Sequence, residues 1–507
     1  MPRTRQVALG AAFNWLAFAA TLAVAFFLTP FLLHRLGPSR YDIWCIVEAI
    51  LAYFTILDLG IAACLSRAVA GAKASDDGDR LNRMASSCVV LYSIAGLVAI
   101  AVGSPILFAI SGSLEAREPG DGGILPFMLL MLANLALTLP LSAFPAMLEG
   151  LQAFTTKSLI RIAMLAVRTV ALVVAVSTWQ SLFPLAVIYT ATNLIEHSLM
   201  AWMVRGRLRE LKLKMAYVDR ATLKAVRGYS VDAFLAMVAG RITVQSAAIA
   251  IGMVLAPGQV TLFATASRLI EYSKGMLRTM TATLSPNVAA MQARGDSRGI
   301  AAGFLAGAKW MVAIALPIQI GLVLFGWPFL ARWIGSDYAE GTFPALIVLS
   351  IPLALSIVQS VASRVLYGLG ELKWFARAGL VEAALHVVLL AVLIRPFGIV
   401  GVAYSCTIPS ILSCLFTIEF TRRLLKVAPL ELIAATCRPV AACGVPLSIW
   451  WMLGTPDADY GRIAVHVALG LIPYGAIVLC WEGLAWKVVG RVGKWRATRT
   501  VDHRLTM

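Results

Sequence analysis

Arg268, Glu271, Tyr272, Lys274 and Arg278 lie close together inside an otherwise apolar stretch of the chain. At 100° per residue, Arg268, Glu271, Tyr272 and Arg278 fall within about 120° of arc on an α-helix, with Lys274 just beyond its edge. The stripe runs about 15 Å along the helix and sets three cations against one carboxylate. Such a face performs no covalent chemistry; it holds and releases an anion. The preceding apolar stretch adds Arg241, with Gln245 one turn on, as further donors. A blander arrangement stays open, in which Arg268 pairs with Glu271 while Arg278 and Lys274 extend toward water.

Carboxylates of a second kind sit nearer the N-terminus. Glu48 and Asp58 share one apolar run, and with Glu271 they are the candidates for binding a proton or a sodium ion. For Asp58 a structural role is equally open, and for Glu48 so is a hydrogen-bonded contact. Arg168 shares a helical face with Arg161 and is a further candidate for the anion. Glu196 and His197 take no role from their spacing. There is no Walker loop, no HExxH and no GxSxG, and the five histidines are scattered. The eight cysteines form no CxxC and are read as packing residues. The pattern therefore implies no catalytic residue, no metal, no cofactor and no ATP bound to this chain. It does not read as an enzyme.

The elements that carry these residues follow from composition. Of 507 residues, 60% are apolar and only 14% are charged, against about 25% charged in an ordinary globular domain. Soluble, disordered and disulfide-rich classes are excluded. Fourteen apolar runs, each about 20 residues or longer, match the length that crosses a ~30 Å hydrocarbon core. The net charge of +17 reads as topology rather than nucleic-acid binding. With the N-terminus inside, roughly five times as many Lys and Arg fall in cytoplasmic as in external segments, so both termini are expected in the cytoplasm. The first run is too long for a secretory signal and is read as a retained helix. The basic linker at 205–228 carries Arg205, Arg207, Arg209, Lys212, Lys214, Arg220, Lys224 and Arg227, and is expected to lie on the inner leaflet or to contact anionic lipid or a partner.

The linker separates two related parts. "LGPSRYDIW" at 36–44 aligns with "LAPGQVTLF" at 255–263, an offset of 219, and the same offset brings 70–79 onto 289–298. "MLEGLQ" at 147–152 meets "VLYGLG" at 365–370 at an offset of 218, and Arg168 then falls on His386. The expected architecture is an all-α polytopic membrane protein of about fourteen transmembrane helices, with two pseudo-symmetric six-helix lobes and two extra helices. The expected boundaries are 1–204 for the N-terminal lobe, 205–228 for the linker, 229–420 for the C-terminal lobe, and 421–507 for the last two helices and a basic tail.

"LGPSRYDIW", "LDLG" at 57–60, "MLEGLQAF" at 147–154 and "FGIVGVAYS" at 397–405 resemble the polysaccharide-transporter branch of the multidrug/oligosaccharidyl-lipid/polysaccharide exporter superfamily, which includes Wzx-type O-antigen flippases. The glycine usual after the motif tyrosine is here Asp42. The resemblance implies a flippase in the bacterial inner membrane. Its cargo would be an anionic polyprenyl-pyrophosphate-linked oligosaccharide, turned outward by alternating access for O-antigen, lipopolysaccharide or exopolysaccharide synthesis. Implied partners are that lipid-linked oligosaccharide, membrane lipids, H+ or Na+, and polysaccharide polymerase machinery, with no nucleic acid. A lipid II-type flippase, a cation-coupled multidrug exporter and, more remotely, a membrane glycosyltransferase or polymerase remain as alternatives.

Overall fold

A computed structural model describes residues 3–58, 60–75, 77–116, 123–179, 181–218, 231–281, 284–454, 456 and 459–502. Among the described residues every regular element is a helix, as the sequence leads one to expect. Contacts divide the chain into two compact units, Met1–Ala264 with Gly379–Val402, and Thr265–Ala378 with Ala403–Met507.

The first unit contains α1 (Arg3–Leu36), α2 (Pro38–Phe54) with a 3-10 turn at Thr55–Asp58, α3 (Ile61–Ser75), α4 (Gly78–Glu115), α5 (Ile124–Leu141), α6 (Ala143–Gly150), α7 (Phe154–Thr178), α8 (Leu182–Arg207), α9 (Val231–Val254) and the start of α10 (Gln259–Thr281). Leu65, Val69, Cys88, Tyr92, Met147 and Val204 form the centre of its core. The rest of α10 begins the second unit. There follow α11 (Leu284–Ala293), α12 (Ser297–Ile334), α13 (Ser336–Ser350), α14 (Leu353–Leu369), α15 (Leu372–Leu424), α16 (Pro429–Ala442), α17 (Gly444–Leu453) and α18 (Tyr460–Asp502). Residues 379–402 of α15 belong to the first unit. Leu277, Phe304, Ile357 and Val361 lie at the centre of the second core.

Phe27, Leu97, Trp202, Val381 and Ile472 are two-thirds or more exposed. Water does not tolerate that much bare apolar surface on one chain, whereas lipid does. Among the described residues nine helices are long and apolar enough to span a bilayer, and α13 with α14, bent by 43° where they meet, makes a tenth. The chain is a multi-pass membrane protein. The shortfall from fourteen has physical causes. Helix α2 stops after 17 residues at its 3-10 turn. Helix α8 carries Asn193, Glu196 and His197, and α10 carries the charged stripe. The eleventh and twelfth runs are merged in the 53 residues of α15. That helix would be about 80 Å long if straight. It is kinked at Gly398 (φ 55°, ψ −137°), and a Cβ on Gly401 would collide with the Leu393 carbonyl.

The repeat is visible in local structure. Helices α4 and α12 are both 38 residues long and start at the offset of 219. Asp77 caps the first by accepting from the Arg80 N–H at 2.9 Å, and Asp296 caps the second by accepting from the Gly299 N–H at 2.8 Å. Gly150 abuts Ser66 and Val69, and Gly368 abuts Ser285 and Val288. These are corresponding positions, and at each a Cβ would collide with backbone or a branched side chain.

Residues 205–218 of the linker lie among the described residues. Leu208, Leu211 and Leu213 pack against the first core, while Arg209, Lys212 and Lys214 point outward. Asn82 of α4 accepts from the Lys212 N–H at 2.8 Å and donates to the Glu210 carbonyl at 3.3 Å, and Ser86 accepts from the Lys214 N–H at 3.2 Å. Arg220, Lys224 and Arg227 lie outside the described residues.

Candidate functional site

The residues singled out for an anion fall in both units. In the second unit, the α10 stripe is continuous. Glu271 lies 3.4 Å from Lys274 and 3.6 Å from Arg278, and Arg268 and Tyr272 are half-buried beside it. Helical spacing of three and seven residues brings both cations to this carboxylate. The pairs are partly exposed, so they contribute little to stability. Their consequence is chemical, since one carboxylate is shared by two cations, Lys274 and Arg278. A proton or sodium ion bound at Glu271 would compete with two fixed positive charges.

In the first unit, α9 presents Arg241 and Gln245 on the same face as Gly252, which packs onto Ile46 of α2. Arg241 is half-buried and has no polar partner among the described residues. The other side of α9 is fixed, with the Ser246 hydroxyl 2.8 Å from His386 Nε2 of α15. Helix α9 is thereby held on the side away from Arg241. Glu48 is half-buried on α2. Asp58, at the end of the 3-10 turn, accepts from the hydroxyl of the fully buried Tyr92.

Arg168 stands apart. Its guanidinium donates to Thr192 at 2.9 Å and Asn193 at 2.5 Å, reaches Glu196 at 3.5 Å, and lies 5.0 Å from the Tyr189 ring centroid. Asn193 continues the network to Asn134 on α5 at 3.3 Å, and His197 Nδ1 lies 2.8 Å from the Asn193 carbonyl. Glu196 and His197, unassigned by spacing, thus belong to one polar knot joining α5, α7 and α8. Arg168 and Glu196 expose only 18% and 15% of their side chains, and burial of both requires that each be satisfied.

Asp42 also acquires a role that its type alone did not give. It is fully buried. It accepts from the Gly258 N–H at 2.6 Å, the Thr261 N–H at 2.7 Å and the Thr261 hydroxyl at 2.5 Å. These groups open α10, whose first N–H groups have no partner within their own helix. A carboxylate placed there is favoured by both the hydrogen bonds and the helix dipole.

A family model described as "Polysaccharide biosynthesis protein" matches residues 9–292. The chain belongs to that family. The matched residues include α9, α10 and Asp42. No curated protein matches the sequence. Among solved structures, the lipid II flippase MurJ in an inward closed conformation is similar with a TM-score of 0.69 at 14% identity, over 94% of this chain and 99% of that one. An inward-facing multidrug resistance MATE family transporter of the MOP superfamily gives 0.67 at 14% identity, over 80% and 94%. A MOP superfamily transporter from Pyrococcus furiosus, described by the reversed polarity of its binding pocket, gives 0.60 at 14% identity, over 82% and 95%. This polysaccharide biosynthesis protein therefore has the fold of MOP-superfamily transporters, and the proteins that share it are transporters and a flippase rather than enzymes.

Proposed function

We propose that this chain is a flippase of the Wzx type, carrying an anionic polyprenyl-pyrophosphate-linked oligosaccharide from the inner to the outer leaflet of a bacterial inner membrane for surface-polysaccharide synthesis. The observation that carries this reading is the α10 stripe, where Arg268, Lys274 and Arg278 lie along one helix of the second unit and Lys274 and Arg278 share Glu271. A pyrophosphate leaving the headgroup region loses its hydration, and fixed cations replace it. Arg268, Lys274 and Arg278, with Arg241, Gln245 and Tyr272, would hold the pyrophosphate and first sugars while the polyprenyl tail stays in lipid. Arg168 would act at a distance, by holding α7 and α8 in place. The repeats at 1–204 and 229–420 would move against one another, with residues 421–507 outside that motion and both termini in the cytoplasm. Glu48, Asp58 and Glu271 would couple the motion to H+ or Na+. No covalent bond changes, so no catalytic group is required.

A lipid II-type flippase fits the same basic stripe, because its cargo also carries pyrophosphate. A multidrug exporter of cations does not, because three cations repel such a cargo. The test uses cells lacking the gene, cells with it restored, and cells restored with Arg268→Glu. Their polyprenyl-linked oligosaccharides are measured by mass spectrometry. The expected result is accumulation of a completed unit that the intact gene clears and the charge reversal does not. An unchanged lipid pool would overturn the assignment, and a pool of incomplete units would point to an enzyme.

A further inference from the structure

Helices α1 and α7 of the first unit pack along one another and leave an apolar slot between them. Val24, Phe27 and Phe31 wall it on one side, Thr169 and Val173 on the other, around about 350 Å³ of free space. Phe27 is 72% exposed, so the slot opens toward lipid. The Thr169 hydroxyl donates to the Leu165 carbonyl of its own helix at 2.7 Å, which leaves that wall apolar in effect.

An arginine stands beyond each end. On α7, Arg161, Leu165, Thr169 and Val173 form one i,i+4 row, so the wall of the slot leads back to Arg161. On α1, Phe27, Phe31 and Arg35 form a second such row, and the Arg35 guanidinium lies 6.0 Å from the Phe31 ring centroid. With α2–α3, α4 and α5–α6 crossing between them, α1 and α7 run in the same direction. The two arginines are then at opposite ends, about 15 Å and 11 Å from the middle of the slot. Their separation of about 25 Å approaches the ~30 Å of a hydrocarbon core.

Snorkelling does not account for Arg161. The buried residues of α7 are Ser158, Met164, Leu172, Ala175 and Val176, and Arg161 projects from the middle of the arc they span. Val167, Val170 and Val174, on the opposite side, are more than half exposed and face lipid. Arg161 is exposed all the same, so the inward face of α7 opens into a recess at that level. The other cations of α7 are paired, Lys157 with Glu149 at 2.5 Å and Arg168 with Glu196 at 3.5 Å. Arg161 and Arg35 have no polar partner among the described residues. An unpaired arginine about 10 Å along a spanning helix is costly, and an anion beside it removes that cost. The helices themselves do not need these residues, because the corresponding positions of the second repeat are Gly379 and Val254.

We propose that the α1/α7 slot seats the isoprenoid chain of a phosphate-headed carrier lipid, with Arg161 binding the phosphate on the cytoplasmic side and Arg35 binding it after the lipid has turned. The proposal rests on the flippase reading and gives a seat to the tail which that reading leaves in lipid. A single-chain lipid suits the slot better than a phospholipid. The slot lies between one pair of helices, and a phospholipid would leave its second acyl chain outside.

The test is native mass spectrometry of the full chain released from nanodiscs holding equal amounts of polyprenyl phosphate and phosphatidylglycerol. The intact protein is expected to retain one polyprenyl phosphate at least ten-fold over phosphatidylglycerol. Val173→Trp, which fills the slot from its rim, should lower that preference several-fold. Arg161→Gln with Arg35→Gln should abolish it, and Arg423→Gln, at an exposed arginine of α15, should leave it unchanged. Equal retention of the two lipids by the intact protein, or an unchanged preference in Val173→Trp, would overturn the slot. Arg268→Glu separates this site from the α10 stripe. Retention that survives Arg268→Glu supports the slot even where translocation fails, whereas its loss would place the lipid at the stripe and overturn the slot.

Discussion

Asp42 and Thr261 occupy the same position in the two repeats, 219 residues apart, and they are hydrogen-bonded to each other. The start of α2 is thereby tied to the start of α10 by a contact between counterparts. The pairing is asymmetric in chemistry, because the carboxylate accepts and the threonine donates through both its backbone and its hydroxyl. Asp42→Ala would take the acceptor from the Gly258 and Thr261 N–H groups and leave the Thr261 hydroxyl only the longer bond to the Pro38 carbonyl at 3.4 Å. The expected loss is about 2–3 kcal/mol of stability, read as a lower melting temperature of the solubilised protein. Thr261→Val removes only the hydroxyl bond, and its expected loss is about 1 kcal/mol. Combined with Asp42→Ala, it should add less than it costs alone.

The knot around Arg168 separates a structural arginine from one that touches cargo. Arg168→Ala strands Glu196 in a buried setting, at an expected cost of about 3 kcal/mol, and folded yield should fall. Adding Glu196→Gln removes the stranded charge and should recover most of that yield. Arg168→Ala that folds at full yield but transports nothing would instead place Arg168 against the cargo.

Glycine is required where the repeats bring helices into backbone contact. Gly150→Ala drives a methyl group toward the Ser66 carbonyl, and Gly368→Ala does the same against Ser285 and Val288. Each substitution should destabilise by about 1–3 kcal/mol through overpacking. Gly112→Ala, in a helix with open space around the new methyl group, should stabilise by about 0.5–1 kcal/mol. Melting temperatures of the three variants test the contrast directly.

Coupling is tested by removing carboxylates one at a time. Glu48→Gln should leave insertion intact and remove the dependence of transport on a proton or sodium gradient, measured in vesicles with each gradient imposed separately. Asp58→Asn keeps an acceptor for the Tyr92 hydroxyl, so the fold should persist and any change in gradient dependence is assignable to the lost charge. Transport by both variants that still follows the imposed gradient would remove them from the coupling role.

Long-period features were legible in the sequence and pairwise partners were not. Apolar runs of membrane length identify α4 and α12, and motif spacing places them at the same offset that their Asp77 and Asp296 caps now share. The α10 stripe was readable because Glu271, Lys274 and Arg278 lie on one helix, where spacing fixes geometry. Asp42 was not readable, since its partner is distant in the chain and only folding brings them together. Glu196 and His197 were opaque for the same reason, their meaning being set by Arg168 on a neighbouring helix. The break at Gly398 falls between the eleventh and twelfth apolar runs, where the sequence had already separated them.

The most direct test of the flippase is translocation itself. The protein is reconstituted into vesicles holding a fluorescent polyprenyl-pyrophosphate-linked oligosaccharide, and a membrane-impermeant glycosidase reports how much of it is reached from outside. With the intact protein the protected fraction should fall with time, while Arg268→Glu should leave it as stable as in protein-free vesicles. Equal rates with the intact protein and the charge reversal, or no loss of protection with either, would contradict an anion carried past the α10 stripe.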